Sequence, residues 1–167
     1  MKCYLIGSLR NPEVPIIAAK LRAAIGDEVF DDWYAAGPEA DDYWQRYEKD
    51  RGHTFAQALA GNAGQHVYHY DKHHLDSSQY GVLVLPAGKS GHLEAGYLIG
   101  QGKPVYILLA GEPERFDVMY NFASGVFTSF DDLYACLVRA TANRIAGAID
   151  LNTYPRYLYD HLPEGSH

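Results

Sequence analysis

Short apolar runs alternate along this chain with stretches whose apolar positions recur every three or four residues. The first pattern is that of buried strands and the second that of amphipathic helices. Cys3–Gly7 (CYLIG) is an apolar run closed by Gly7 and Ser8, as a buried parallel strand requires. From Pro12 to Ile25 the positions Val14, Ile17, Ala18, Leu21 and Ile25 form one helical stripe that stops at Gly26. EVFDDW (Glu28–Trp33) supplies a second strand. The long connection after it predicts two short helices, Glu39–Lys49 and Thr54–Leu59, with glycines breaking them, and a further helix from Val67 to Leu75. GVLVLP (Gly81–Pro86) is a third strand, Gly91–Gly100 a helix, KPVYILL (Lys103–Leu109) a fourth strand and GVFTSF a short fifth. Asp131–Ala146 closes as a helix with Leu133, Leu137, Val138 and Ile145 on one face.

Strands alternating with helices imply βαβ units, hence a three-layer αβα sandwich of Rossmann or flavodoxin type around a mainly parallel sheet of about five strands. In such sheets ligands bind outside the carboxyl ends of the strands. That rule gathers Ser8, Leu9, Arg10 and Asn11 after strand one, Asp31, Asp32, Trp33 and Tyr34 after strand two, and Ala87 to Glu94 after strand three into one crevice.

Composition narrows the function. The 167 residues form one domain, 1–146, with an aromatic tail, 147–167, and are enough to bury a core without crosslinks. A net charge of −7 argues against a nucleic-acid polymer as partner, because phosphate-backbone binding rests on clustered Lys and Arg. The two cysteines, Cys3 and Cys136, sit in apolar contexts that suit a reducing interior, and no apolar run reaches membrane-spanning length or resembles a secretion signal. The reading is a cytoplasmic protein that does not engage membranes. The terminal LPEGSH carries no weight.

Several residues in the crevice can carry chemistry. Gly88 and Gly91 around Ser90 let the backbone turn tightly and aim N–H groups at an anion, with Lys89 and Ser90 as further donors. Glu94 lies close to that turn, where the helix dipole is expected to lower its pKa. It is either a solvated acid complementing the dipole or an ionised acid in a crevice, fit to act as nucleophile or to stabilise a cation. Trp33, Tyr34, Tyr43 and Trp44 offer faces for a base or for core packing. Asp31 and Asp32 read either as base-edge contacts or as caps. His69 and His73 stand at metal-ligand spacing, but His66, His69, His73 and His74 do not share one face, so no metal is expected.

SGHLEAGYLIGQGKPVYIL (Ser90–Leu108) resembles the Glu-bearing motif of the nucleoside 2-deoxyribosyltransferase-like superfamily. YLIGSLR (Tyr4–Arg10) is similar to the opening of the branch that hydrolyses 2′-deoxynucleoside 5′-monophosphates, and DKHHLDSSQYGVLVLP (Asp71–Pro86) to the helix that begins with a functional Asp. The resemblance runs from Lys2 to about Arg139. It implies Glu94 as nucleophile toward the anomeric carbon, Asp71 as the acid that positions the sugar or assists the leaving base, and Tyr4 beside them. It implies Gly7, Ser8 and Arg10 near the sugar and its 5′-phosphate, Ser90 near a phosphate contact and the loop of Met119 as part of the site's closure, to which the crevice adds Asp32, Trp33, Gly88 and Gly91 as substrate contacts; Arg10 also reads as a solvated post-strand residue.

The expected activity is cleavage of an N-glycosidic bond in a nucleoside or its 5′-monophosphate, with retention, no metal and no organic cofactor. The implied partners are that small molecule and further copies of the chain in a homodimer or larger homo-oligomer. Tyr154, Tyr157 and Tyr159 then cap a neighbouring subunit or pack on their own domain. Two departures matter: the transferases' Asp shortly before the Glu falls near Gly88 here, and an Asp before strand three is Gln79. They weaken base transfer more than hydrolysis. The alternatives are deoxyribosyl transfer proper, an NAD-type glycohydrolase and a nucleotide sensor without turnover; a cytokinin-type phosphoribohydrolase ranks last, its denser Gly-Thr motif being absent.

Overall fold

The computed structural model describes residues 1–113, 115 and 117–145. In chain order these form β1 (Lys2–Ile6), α1 (Glu13–Ile25), β2 (Glu28–Phe30), a 3-10 turn (Asp32–Ala36), α2 (Ala40–Asp50), α3 (Phe55–Ala60), α4 (Asn62–Ser77), β3 (Tyr80–Val84), α5 (Lys89–Gly100), β4 (Val105–Leu108), a second 3-10 turn (Val118–Phe122), β5 (Gly125–Phe127) and α6 (Phe130–Ile145). The aromatic tail, with Tyr154, Tyr157 and Tyr159, lies outside the described residues.

The five strands are all parallel, in the order β2-β1-β3-β4-β5. The chain leaves β1 toward β2 and returns on the other side to β3, so the topological switch point falls between β1 and β3. Side-chain alternation along each strand divides the core in two. Cys3, Leu5, Val82, Val84, Tyr106 and Leu108 pack with α1 and α6, whereas Tyr4, Ile6, Leu83, Val105 and Ile107 pack with α4 and α5 through Leu75, Ala95 and Leu98. This parity puts the Tyr4 ring, 1% exposed, in the same layer as the helices that carry Asp71 and Glu94.

Two elements differ from the sequence expectation. The second strand stops at Phe30, and Asp32–Ala36 is a 3-10 turn. There the Trp33 indole N–H donates to the Leu5 carbonyl at 2.9 Å, taking over from the ended strand. Helix α4 starts at Asn62 and runs through Gly64 without a break. A Cβ at Gly64 would lie 2.9 Å from the Ala58 carbonyl oxygen, so this glycine serves the close approach of α4 to α3. The helix ends follow ordinary capping chemistry. Thr54 and Gln57 form a capping box on α3, and Ser129 accepts the Asp132 N–H at the start of α6.

Candidate active site

Asp71 on α4 lies four residues before the buried Leu75, so it sits on the inward stripe of its helix, over β1. Glu94 on α5 adjoins the buried Ala95 and shares a flank with Tyr97 and Gln101, three and seven positions on. Both carboxyls are half-buried, and among the described residues neither has a hydrogen-bond or ion-pair partner. An unpaired carboxyl withdrawn from water is costly for the fold, and such groups concentrate at functional sites.

Their electrostatics follow. Burial pushes the Asp71 carboxyl up to about 6. Burial and then the neighbouring charge of Asp71 push Glu94 up to about 8. The sequence expectation of a Glu94 pKa lowered by the helix dipole is therefore reversed. Glu94 is the sixth residue of α5, beyond the first turn where the dipole acts, and desolvation next to a like charge outweighs it. Beneath the pair, burial, Glu94, Asp71 and Tyr70 all raise the pKa of the Tyr4 phenol, which keeps it a neutral donor. The phenol and the two carboxyls thus form one interacting cluster between α4, α5 and β1, set into the helical layer rather than at the strand tips.

The switch-point residues form the rim. A Cβ on Gly7 would lie 2.6 Å from Val14 Cγ2, and one on Gly91 would meet Ile6 Cγ2 at 3.2 Å and the Gly7 carbonyl oxygen at 3.5 Å. Gly7 makes room for Val14 of α1 at the end of β1, and Gly91 lets α5 close down on the same strand end. Gly88 has no such role: its φ is −80° and the space at its Cβ is open, so the tight-turn reading does not hold for it. Ser8 accepts the Arg10 N–H at 3.2 Å. Lys89 and Ser90 are exposed in the first turn of α5, beside a shallow open depression lined by Ala87, Gly88, Lys89, His92 and Leu93.

The other expected contacts are more dispersed. Arg10 is exposed and bridges to Asp42 on α2 at 2.8 Å. Asp31 is held by Arg22, and Asp32 is exposed. Trp33 packs edge-on against Tyr34, next to Gly7. Met119 is exposed in the second 3-10 turn, whose Tyr120 hydroxyl pairs with His92 Nε2 at 3.3 Å; His92 Nδ1 donates to the Gly88 carbonyl at 2.9 Å. Gln79, in place of the acid before β3, accepts the Lys2 N–H at 2.6 Å. His74 stacks on Phe30 at 3.7 Å and belongs to the wall beside Tyr4.

Sequence reasoning gathered Asn11 into the crevice without giving it a role, and it passed over a second feature. Asn11 is 3% exposed, and its side chain donates to the carbonyls of Val84 and Pro86 while accepting the Glu13 N–H, tying the β1 loop to the end of β3. Its signal was an amide in the short loop between a strand end and a helix start. The other is a set of polar contacts around Asp76 on α4; the i, i+4 pairs Lys72/Asp76 and Tyr97/Gln101 were its visible trace.

Neither family models nor curated proteins match this chain. Among solved structures it is similar to the 2-deoxyribosyltransferase of the psychrotolerant bacterium Bacillus psychrosaccharolyticus, with a TM-score of 0.53 and 17% identity over 80% of this chain and 90% of that one. The two share a fold, and the α/β sandwich expected from the sequence is the one observed.

Proposed function

We propose that this protein cleaves the N-glycosidic bond of a nucleoside or nucleoside 5′-monophosphate, 2′-deoxy in the first instance, through the Asp71–Glu94 pair. The observation that carries this reading is the pair itself: two unpartnered carboxyls and a buried phenol in one cluster beside the switch point. The fold shared with a 2-deoxyribosyltransferase and the motifs around Tyr4, Asp71 and Glu94 support it.

The chemistry balances with one proton on the pair. Glu94 as carboxylate attacks the anomeric carbon, and the electrons of the breaking C–N bond go to the base nitrogen, which takes the proton of Asp71. Developing positive charge on the sugar is stabilised by the adjacent carboxylate. In the second step Asp71, now ionised, removes a proton from water, whose oxygen attacks the same carbon and frees Glu94. Two displacements give retention. Transfer instead of hydrolysis replaces the water by a second base. Tyr4 donates to the sugar or to Glu94. Ser8, Ser90 and the α5 N-terminus hold the 5′ end, with Arg10 as its bidentate cation once released from Asp42. Trp33, Asp32 and Met119 border the base, with Gly7 and Gly91 keeping the backbone close and Gly88 leaving open space at the start of α5. None of these roles calls for a metal or organic cofactor.

The assembly is read as a homodimer or larger homo-oligomer because Leu93, Val118, Met119 and Phe122 stand exposed near the rim, and sedimentation at graded concentrations tests it. Both free cysteines are buried, which suits a cytoplasmic location. Among the described residues no helix is long and apolar enough to cross a membrane.

Incubating the protein with ribo- and 2′-deoxynucleosides and their 5′-monophosphates, and following free base by chromatography, tests the reading. Base release that Glu94→Gln abolishes supports it. Tight binding without release replaces it with the sensor. Release only when a second base is supplied replaces hydrolysis with transfer.

A further inference from the structure

The two acids sit on separate helices, and whenever both are ionised their like charges push α4 and α5 apart. Just below the pair the helices are fastened by hydrogen bonds that converge on Asp76. Asp76 on α4 accepts from the Tyr97 hydroxyl of α5 at 2.6 Å and from Nε2 of Gln101, which caps the C-terminus of α5, at 2.9 Å, through the same oxygen. Its other oxygen accepts from Lys72 Nζ at 2.5 Å on its own helix. Lys103, just past α5, donates to the Leu75 and Asp76 carbonyls at 2.9 and 2.7 Å, closing the last turn of α4.

The spacing brings this clamp next to the acids. Asp71 lies five residues before Asp76, about 7.5 Å along the axis, and Glu94 three residues before Tyr97, about 4.5 Å. Glu94, Tyr97 and Gln101 share the α5 flank that faces α4. We infer that Asp76, through Tyr97 and Gln101, is a positioning residue that sets the separation of Asp71 and Glu94. It touches neither acid. Its catalytic consequence rests on the function proposed above, but its geometric consequence does not.

The groups facing Glu94 are Asp71 from α4 and Tyr4 from β1; those facing Asp76 are Lys72, Tyr97 and Gln101. The charge-assisted contacts hold Asp76 ionised well below the usual carboxylate range, so the clamp stays closed while the acids above it titrate.

The experiment titrates the Glu94 carboxyl by carbon NMR in the wild type, Tyr97→Phe and Asp76→Asn, with Leu137→Ala in the opposite layer as a stability control. A loosened clamp hydrates Glu94 and moves it from Asp71, so its midpoint falls by about one unit in both clamp variants. Leu137→Ala lowers the melting temperature and leaves the midpoint in place. Tyr97→Phe removes only a hydroxyl and carries the test if Asp76→Asn does not fold. Clamp variants that melt earlier with an unmoved midpoint overturn the inference. If base is released, kcat falls about tenfold in the clamp variants with KM nearly unchanged; an unchanged kcat also overturns it. If no base is released by any form, the NMR result still decides the clamp.

Discussion

Glu94 titrates beside the charge of Asp71, the more readily ionised of the two carboxyls. This order explains why burial alone raises Asp71, to about 6, whereas burial and the Asp71 charge together raise Glu94, to about 8. Between those values the pair holds one proton. As a coupled site it populates both placements of that proton, including the one with Glu94 ionised and Asp71 protonated.

The pH dependence of base release follows. The doubly protonated pair lacks a nucleophile and the doubly ionised pair lacks an acid. The kcat/KM profile should rise as pH increases through about 6 and fall through about 8. In Asp71→Asn the neighbouring charge is gone, and Glu94 should titrate at a lower pH. A flat profile from pH 5 to about 9 would remove the acid pair from the mechanism.

Stability should respond in the same range. Both folded-state values lie above those of free carboxyls, so the contribution is complete below about pH 4 and is lost as pH rises through the folded values. Gln at position 94 cannot ionise. Urea unfolding should therefore show Glu94→Gln gaining on the wild type between pH 5 and about 9, on the order of 2 kcal/mol. An equal gap at both pH values would mean that the carboxyl is fully hydrated.

Asn11 offers a test of the rim. Replacing it with Ala leaves the buried Val84 carbonyl and the half-buried Pro86 carbonyl without their side-chain donor. A loss of about 2 kcal/mol is expected from chemical denaturation. KM should rise as well, because the Gly7–Arg10 loop is no longer tied to the end of β3.

Much of this was legible in the chain. The alternation of apolar runs and helical stripes sufficed for the layers, and Tyr4, Asp71 and Glu94 were named from motif positions that the strand parity then brings together. What was not legible depends on the third dimension. The dipole argument for Glu94 is a local rule, and burial overrides it. The occupation of Arg10 by Asp42 joins residues 32 positions apart. The Asp76 contacts need two helices to be adjacent, and the chain states only that each helix exists.

The Arg10–Asp42 bridge makes a prediction about substrate. It is solvent-exposed on both sides, so Asp42→Asn should leave stability within about 1 kcal/mol of the wild type. It also frees the guanidinium. KM for a 5′-monophosphate should fall roughly fivefold, the equivalent of about 1 kcal/mol, with no change for the unphosphorylated nucleoside. An equal effect on both would detach Arg10 from the phosphate.

In the proposed reaction Glu94 becomes covalently bound to the sugar. A 2′-fluoro-substituted deoxynucleoside, whose electron-withdrawing fluorine slows breakdown of the adduct, should be incubated with the protein and the product read by intact mass and peptide mapping. A mass increase of one fluorosugar is expected on the peptide containing Glu94, absent in Glu94→Gln. Steady release of base with no adduct, or an adduct on Asp71, would contradict it.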